Sequence, residues 1–144
     1  STLEAMAYNV TAYDCVVCAA MDARCNQVYV ALFRIEDGKV ERLTEEECLK
    51  TDEAARMLSE YDDDIMLVGD GAFIMKKATD DEGLENVKIA PDPLRYQTGY
   101  GVCLAAVNAP QLTPEQLMPM YLKLPQAQRE LMAKNAEAYT ERKE

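Results

Sequence analysis

Asn26-Gln27-Val28-Tyr29-Val30-Ala31-Leu32-Phe33-Arg34-Ile35, closed by Glu36-Asp37-Gly38-Lys39, decides the fold class. In an extended chain, Val28, Val30, Leu32 and Arg34 face one way, and Tyr29, Ala31, Phe33 and Ile35 the other. Both sets are largely apolar, so this strand lies between two packed layers. Asp37-Gly38 is a strong hairpin signal, because both residues tolerate the positive φ of a tight turn. The chain therefore returns antiparallel over residues 39–43. Upstream, residues 14–20 are apolar from Cys15 to Ala20 and read as a second buried strand. These three strands form a meander.

Moving outward, Ser1 followed by Glu4 has the capping-box pattern for a helix to about residue 11, with Leu3, Met6, Ala7 and Val10 on one face. Thr51 is placed to cap a helix through residue 61, with Ala54, Ala55, Met57 and Leu58 as its core side. Residues 64–68 read as a short strand ending at Gly69-Asp70-Gly71, followed by a short helix over 72–78. An acidic loop over 79–86 leads to a strand over 87–90, closed by Pro91 and Pro93. Residues 96–109 read as a helix despite Gly99 and Gly101, each costing about 1 kcal/mol against Ala unless close packing requires it. After Pro114, Pro119 and Pro125 a last helix is expected over 126–142. The order predicts an α/β fold, a mixed sheet with a three-strand meander followed by alternating helices and strands. Residues 1–144 form one expected domain.

Charge and cysteines narrow the function. Acids outnumber bases 26 to 15, for a net charge of −11. Direct tRNA or other nucleic-acid binding would need an excess of Lys and Arg against phosphate, so none is expected. The runs Glu45-Glu46-Glu47, Asp62-Asp63-Asp64 and Asp80-Asp81-Glu82 lack the alternation of a calcium loop and read as solvated surface. Cys15 and Cys18 form a C-x-x-C within a strand, where residues three apart face opposite sides, so no zinc site is expected. No membrane span and no signal peptide is read, and a cytoplasmic location is the expectation. The sequence has no histidine. That leaves a zinc-peptidase H-E-x-x-H motif without its metal ligands and a Ser-His-Asp triad without its base.

Several segments resemble the TsaB family, within the actin-like ATPase and RNase H-like superfamily. The opening Ser1-Thr2-Leu3-Glu4-Ala5-Met6-Ala7 is similar to the helix that follows that family's first lobe. Met21-Asp22-Ala23-Arg24 through Val28-Tyr29 resembles its D-A-R-x-x-x-V-Y strand pair. Val68-Gly69-Asp70-Gly71-Ala72 resembles its G-D-G-A turn. Leu117-x-Pro119-x-Tyr121-Leu122-Lys123 resembles its L-x-P-x-Y-L-R segment, with Lys for Arg, and Gln126-Ala127-Gln128 continues that tail. The resemblance implies an RNase H-like lobe, the C-terminal portion of a two-lobed protein. A first lobe of about a hundred residues would precede Ser1, a size ordinary for one domain.

The resemblance further implies a non-catalytic scaffold subunit in bacterial tRNA threonylcarbamoyladenosine (t6A) synthesis, supporting the catalytic subunit TsaD and working with the ATPase TsaE. No cofactor is expected. The rivals are an actin-like ATPase or phosphotransferase lobe, or a glycoprotease-like hydrolase. Superfamily lobes place an acid and glycines after the first strand, where backbone N–H groups approach a phosphate. Here Asp22 keeps the acid, but Ala23-Arg24-Cys25-Asn26 supplies no glycine. The turn reads either as a degenerate phosphate site or as a simple Asp22–Arg24 pair. Gly69, Asp70 and Gly71 fall where the superfamily's adenosine loop follows a strand, or form an ordinary connection. Cys25, beside Arg24, is the candidate reactive thiol. A homodimer is expected through Leu3, Met6, Ala7 and Val10 of the first helix and through the tail residues Leu117, Met118, Met120, Tyr121, Leu122 and Leu124.

Overall fold

The computed structural model describes residues 1–107, 109–119, 121–123 and 128. The helix expected over 126–142, and Met120, Leu124, Gln126 and Ala127, lie outside the described residues, apart from Gln128. The elements are α1 (Thr2–Ala7), a 3-10 turn (Tyr8–Val10), β1 (Cys15–Asp22), β2 (Gln27–Glu36), β3 (Lys39–Arg42), β4 (Glu47–Lys50), α2 (Thr51–Leu58), β5 (Ile65–Val68), α3 (Ala72–Asp81), β6 (Val87–Ile89), α4 (Asp92–Arg95) and α5 (Gly99–Val107).

The fold is α/β with a mixed six-stranded sheet in the order β3-β2-β1-β5-β6, β4 also pairing with β2. β1 and β2 are antiparallel with Cys15 opposite Ile35 and Asp22 opposite Val28. β5 lies parallel to β1, and β6 parallel to β5. Asp37 and Gly38 both take positive φ, 50° and 73°, as the hairpin requires. Within the sheet, alternation sorts the side chains into two cores. Val16, Cys18, Ala20, Val28, Val30 and Leu32 pack beneath α2 and α3. Cys15, Val17, Ala19, Ala31, Phe33 and Ile35 pack beneath α1. Cys15 and Cys18 thus sit on opposite faces, as their spacing in a strand dictates. Burying each large side chain such as Leu32 or Phe33 contributes about 1.5–3 kcal/mol.

Several expectations are corrected. The first helix closes at Ala7 and continues as a 3-10 turn, although Ser1 Oγ does accept from the Glu4 N–H at 3.2 Å. The meander gains β4, which the acidic run concealed. β3 and β4 pair with the two halves of β2, and Thr44 bridges the gap between them. Its Oγ1 accepts the Leu32 N–H at 2.9 Å, and Leu32 O receives the Leu43 N–H at 2.9 Å. Thr51 is not the cap of α2. Lys50 holds that place, its N–H bonded to Glu53 Oε2 at 3.3 Å, while Thr51 is buried inside the first turn. α2 stops at Leu58. α3 extends to Asp81, into the expected loop. The helix expected over 96–109 is α5, which starts only at Gly99, and a short α4 precedes it, with Tyr96 extended between the two. Pro93 is tolerated in α4 because a first-turn N–H has no intrahelical acceptor to lose.

Gly101 lets α5 lie against α1: a Cβ there would stand 2.2 Å from Ala5 O. Gly99 has no such reason, since nothing lies within 4 Å of its Cβ position. The homodimer surface expected on the first helix is also corrected. Leu3, Met6, Ala7 and Val10 are all buried in this chain's own core. No helix among the described residues is long and apolar enough to cross a membrane.

Candidate functional site

The parallel pair β1 and β5 ends at one rim of the sheet, where Ala19 stands beside Val68. Open α/β sheets bind ligands outside the carboxyl ends of their strands. This rim brings the sequence-derived candidates Asp22, Gly69, Asp70 and Gly71 together. Asp70 Oδ1 accepts the Asp22 N–H at 3.1 Å, and Ala20 O accepts the Gly71 N–H at 3.0 Å. Gly69 takes φ +96°, and a Cβ on it would sit 2.0 Å from Ala20 O. A Cβ on Gly71 would lie 3.0 Å from the same carbonyl. Both glycines therefore allow the β5–α3 turn to lie against the end of β1. The backbone approach that would let a phosphate in is filled by Ala20 instead.

Asp22 is similarly occupied. Its Oδ1 accepts the Arg24 N–H at 2.7 Å, and its Oδ2 meets Arg24 NH1 at 3.3 Å. Arg24, Cys25 and Asn26 follow with φ of 63°, 54° and 57°. Each such left-handed residue costs about 1–2 kcal/mol when it carries a Cβ, and Asn the least. The turn is held in place from both sides. The Thr51 N–H bonds Asn26 O at 3.1 Å, and Lys123 Nζ donates to Ala23 O at 2.8 Å. The backbone thus adopts a glycine-like shape at three positions that have no glycine.

Arg95 is a functional-site neighbour that the sequence did not single out. Its carbonyl accepts the Gly69 N–H at 2.7 Å. Its buried guanidinium lies between the rings of Phe73 and Tyr96, at 4.6 and 5.1 Å, and pairs with Asp92. Its Nε has no hydrogen-bond partner among the described residues. The Asp92–Arg95 spacing of three on a helix was a readable signal; the approach of Phe73 was not.

Burial pushes the Cys18 thiol up to about 12. Burial, then the charges of Asp64 and Asp14, push Cys15 up to about 11. Both remain thiols at neutral pH and act as small core residues. Cys25 is exposed in its turn beside Arg24. Among the described residues no group of three or more acids and cysteines is placed to hold a metal ion. A groove of about 240 Å³ lies next to the rim, between Met21, Tyr29 and Glu46 and the tail residues 121–123.

No family profile and no curated protein matches this chain. Among solved structures it is similar to an uncharacterized protein with similarity to peptidase YEAZ from Pseudomonas aeruginosa, at a TM-score of 0.59 and 19% identity. The match covers 85% of this chain and 57% of that one, so this chain spans little more than half its length. The likeness is one of fold.

Proposed function

We propose that this chain is an RNase H-like lobe of a TsaB-like subunit, a non-catalytic scaffold of the bacterial t6A machinery that supports TsaD. The observation that carries the reading is the fold likeness to a YEAZ-like protein, YEAZ being an earlier name for TsaB. The motif matches agree with it in order along the chain, and two of them, the D-A-R and G-D-G-A segments, meet at one rim. A scaffold role is supported by the state of that rim. Asp22 and Asp70 hold the end of β1 and its turn, and Gly69 and Gly71 pack on Ala20. A nucleotide would have to displace Arg24 from Asp22 and the turn from Ala20. An ATPase or phosphotransferase reading meets a rim already occupied by its own side chains, and a hydrolase reading has no histidine to serve as base.

The test is to mix the full chain with TsaD and TsaE and to measure binding and threonylcarbamoyl transfer to tRNA. The expected result is a complex with TsaD, with transfer dependent on TsaD and no ATP hydrolysis by this chain alone. Affinity for ATP with Mg²⁺ weaker than about 1 mM is expected in the same buffer. Saturable micromolar ATP binding abolished by Asp22→Ala would overturn the scaffold reading, and failure to bind TsaD would overturn the partner.

A further inference from the structure

The α1 face of the sheet is covered unevenly. By strand alternation Cys15, Val17 and Ala19 share that face, and so do Met66 and Val68. Lys88 stands opposite Met66 in the parallel register and joins them. α1 lies over β1 and β2. α4 reaches β5 at its far end, where Arg95 O accepts the Gly69 N–H at 2.7 Å. Between these covers, at the near ends of β1, β5 and β6, a cavity of about 460 Å³ opens. Among the described residues no helix contributes to its lining. Its size falls within the range of small-molecule sites, about 300–1,000 Å³.

The lining decides what fits. Its floor is soft and apolar: the Cys15 thiol is buried and Met66 is half-buried. Tyr13 forms a wall and is 46% exposed. The mouth carries the carboxylates of Asp14 and Asp64 and the ammonium of Lys88. Lys88 Nζ stands 4.0 Å from Asp64 Oδ1 with both side chains largely exposed, a loose pair that another cation can replace. Asp14 Oδ1 accepts the Asp37 N–H at 3.0 Å, and no basic side chain pairs with Asp14 among the described residues. Both carboxylates act on the Cys15 thiol, so their field reaches the floor. The mouth is net negative, on a chain carrying −11. An anion is repelled from such a cavity and a cation drawn in. A metal ion has no use for the apolar floor, and among the described residues no group of three acids and cysteines is placed to hold one. An organic cation uses every part of the lining: the carboxylates and the Tyr13 ring face its charge, and the floor takes its body.

We propose that this cavity binds a small organic cation, an aryl- or alkylamine whose apolar body rests on Cys15 and Met66 and whose ammonium lies between Asp14 and Asp64. The site lies at the opposite end of β1 and β5 from the rim of Asp22 and Gly69. It is independent of the scaffold reading and needs neither TsaD nor a nucleotide.

The experiment is an NMR titration of the full chain, carrying methyl-labelled methionine, with phenethylamine. Met66→Leu assigns the Met66 methyl signal. A saturable shift of that signal is expected, with a Kd below about 1 mM. Two matched probes separate charge from body: phenethyl alcohol has the body without the charge, and methylamine the charge without the body. Each should bind about tenfold more weakly, and phenylacetate should not bind. Asp14→Asn and Asp64→Asn should each weaken phenethylamine by about threefold, as fits an exposed charge contact. Asp52→Asn, on α2 across the sheet, leaves the affinity unchanged. Circular dichroism melts establish that each variant is folded. A Met66 signal that does not shift saturably overturns the proposal. So does phenethyl alcohol or methylamine binding as tightly as phenethylamine, saturable binding of phenylacetate, or affinity indifferent to both asparagine variants.

Discussion

The two faces of the sheet are finished differently. Beneath α2 and α3 lies a core that includes Leu32, Leu58, Leu67 and Met75, all fully buried. The helices above it turn charged residues outward, among them Asp52, Arg56, Lys76 and Asp80 in i,i+4 pairs. The other face buries Phe33, Ile35 and Val17 beneath α1 and the 3-10 turn, and then adds α5 as an outer layer. That outer layer turns apolar side chains to solvent. One face ends in a polar coat and the other in an apolar one. Stability therefore resides in the sheet and the layers directly on it.

Breaking the inner layers should have the largest effect. Phe33→Ala removes a fully buried ring from the α1 face, and Leu58→Ala a fully buried side chain from the opposite face. Costs of about 3–5 and 2–5 kcal/mol are expected. Urea unfolding should show both as a lower midpoint in a single transition. If the Phe33 variant lost only a partial, early transition, the two faces would not share one cooperative core.

A milder pair sharpens the boundary between the inner and outer layers. Gly101→Ala puts a methyl 2.2 Å from Ala5 O and must lift α5 off α1. A loss of about 1–3 kcal/mol is expected from such overpacking. Gly99→Ala, two residues away in the same helix, meets nothing and should add up to about 1 kcal/mol through helix propensity. Thermal melts on dilute samples measure both. Equal signs would mean that α5 does not sit on α1 as described.

The central fold was legible because its signals are local. Alternation in residues 26–35 set both faces of β2, and Asp37-Gly38 set the hairpin. What the sequence hid depends on contacts between distant residues or on edges. β4 has two half-buried residues, Cys48 and Leu49, among charges, which is how an exposed edge avoids pairing with other chains. Thr51 looked like a cap because burial cannot be read from a hydroxyl. At the rim, the Asp22–Arg24 pairing was readable at a spacing of two. The left-handed turn was not, since glycine is the usual signal and Arg24, Cys25 and Asn26 are none. The cradle of Arg95 needs Phe73, far away in sequence.

The two buried thiols test each face by pH. Both pKa values are raised from an ordinary 9.0, to about 11 for Cys15 on the α1 face and about 12 for Cys18 on the other. A raised acid keeps its proton in the fold after the unfolded chain has lost it. The native state then binds more protons than the unfolded one, so stability falls as pH rises. The contribution is complete below about pH 9 and lost progressively up to 11 and 12. Urea midpoints should be insensitive to these thiols at pH 7–8 and decline above 9. Cys18→Ala should flatten more of that decline than Cys15→Ala. The reverse order would mean that the α1 face is the drier of the two.

The smallest effect is expected where the two faces meet, at the turn of Arg24, Cys25 and Asn26. The turn joins the faces because Thr51 of α2 bonds Asn26 O and Lys123 of the tail bonds Ala23 O. Cys25 is the clean position to change. Arg24 also pairs with Asp22, and Asn tolerates positive φ. At φ 54°, a Cβ costs about 1–2 kcal/mol that glycine does not. Against this, glycine adds freedom to the unfolded chain worth about 0.4–1 kcal/mol. The difference leaves Cys25→Gly more stable than wild type by about 0.5–1 kcal/mol, whereas Cys25→Ala keeps the strain and should be near neutral. Urea unfolding of the three proteins side by side measures this, with unchanged slopes expected. A glycine variant no more stable than the alanine one would mean the left-handed turn relaxes in solution. The rim would then be free to open, and its glycines and Asp22 would be available to a ligand after all.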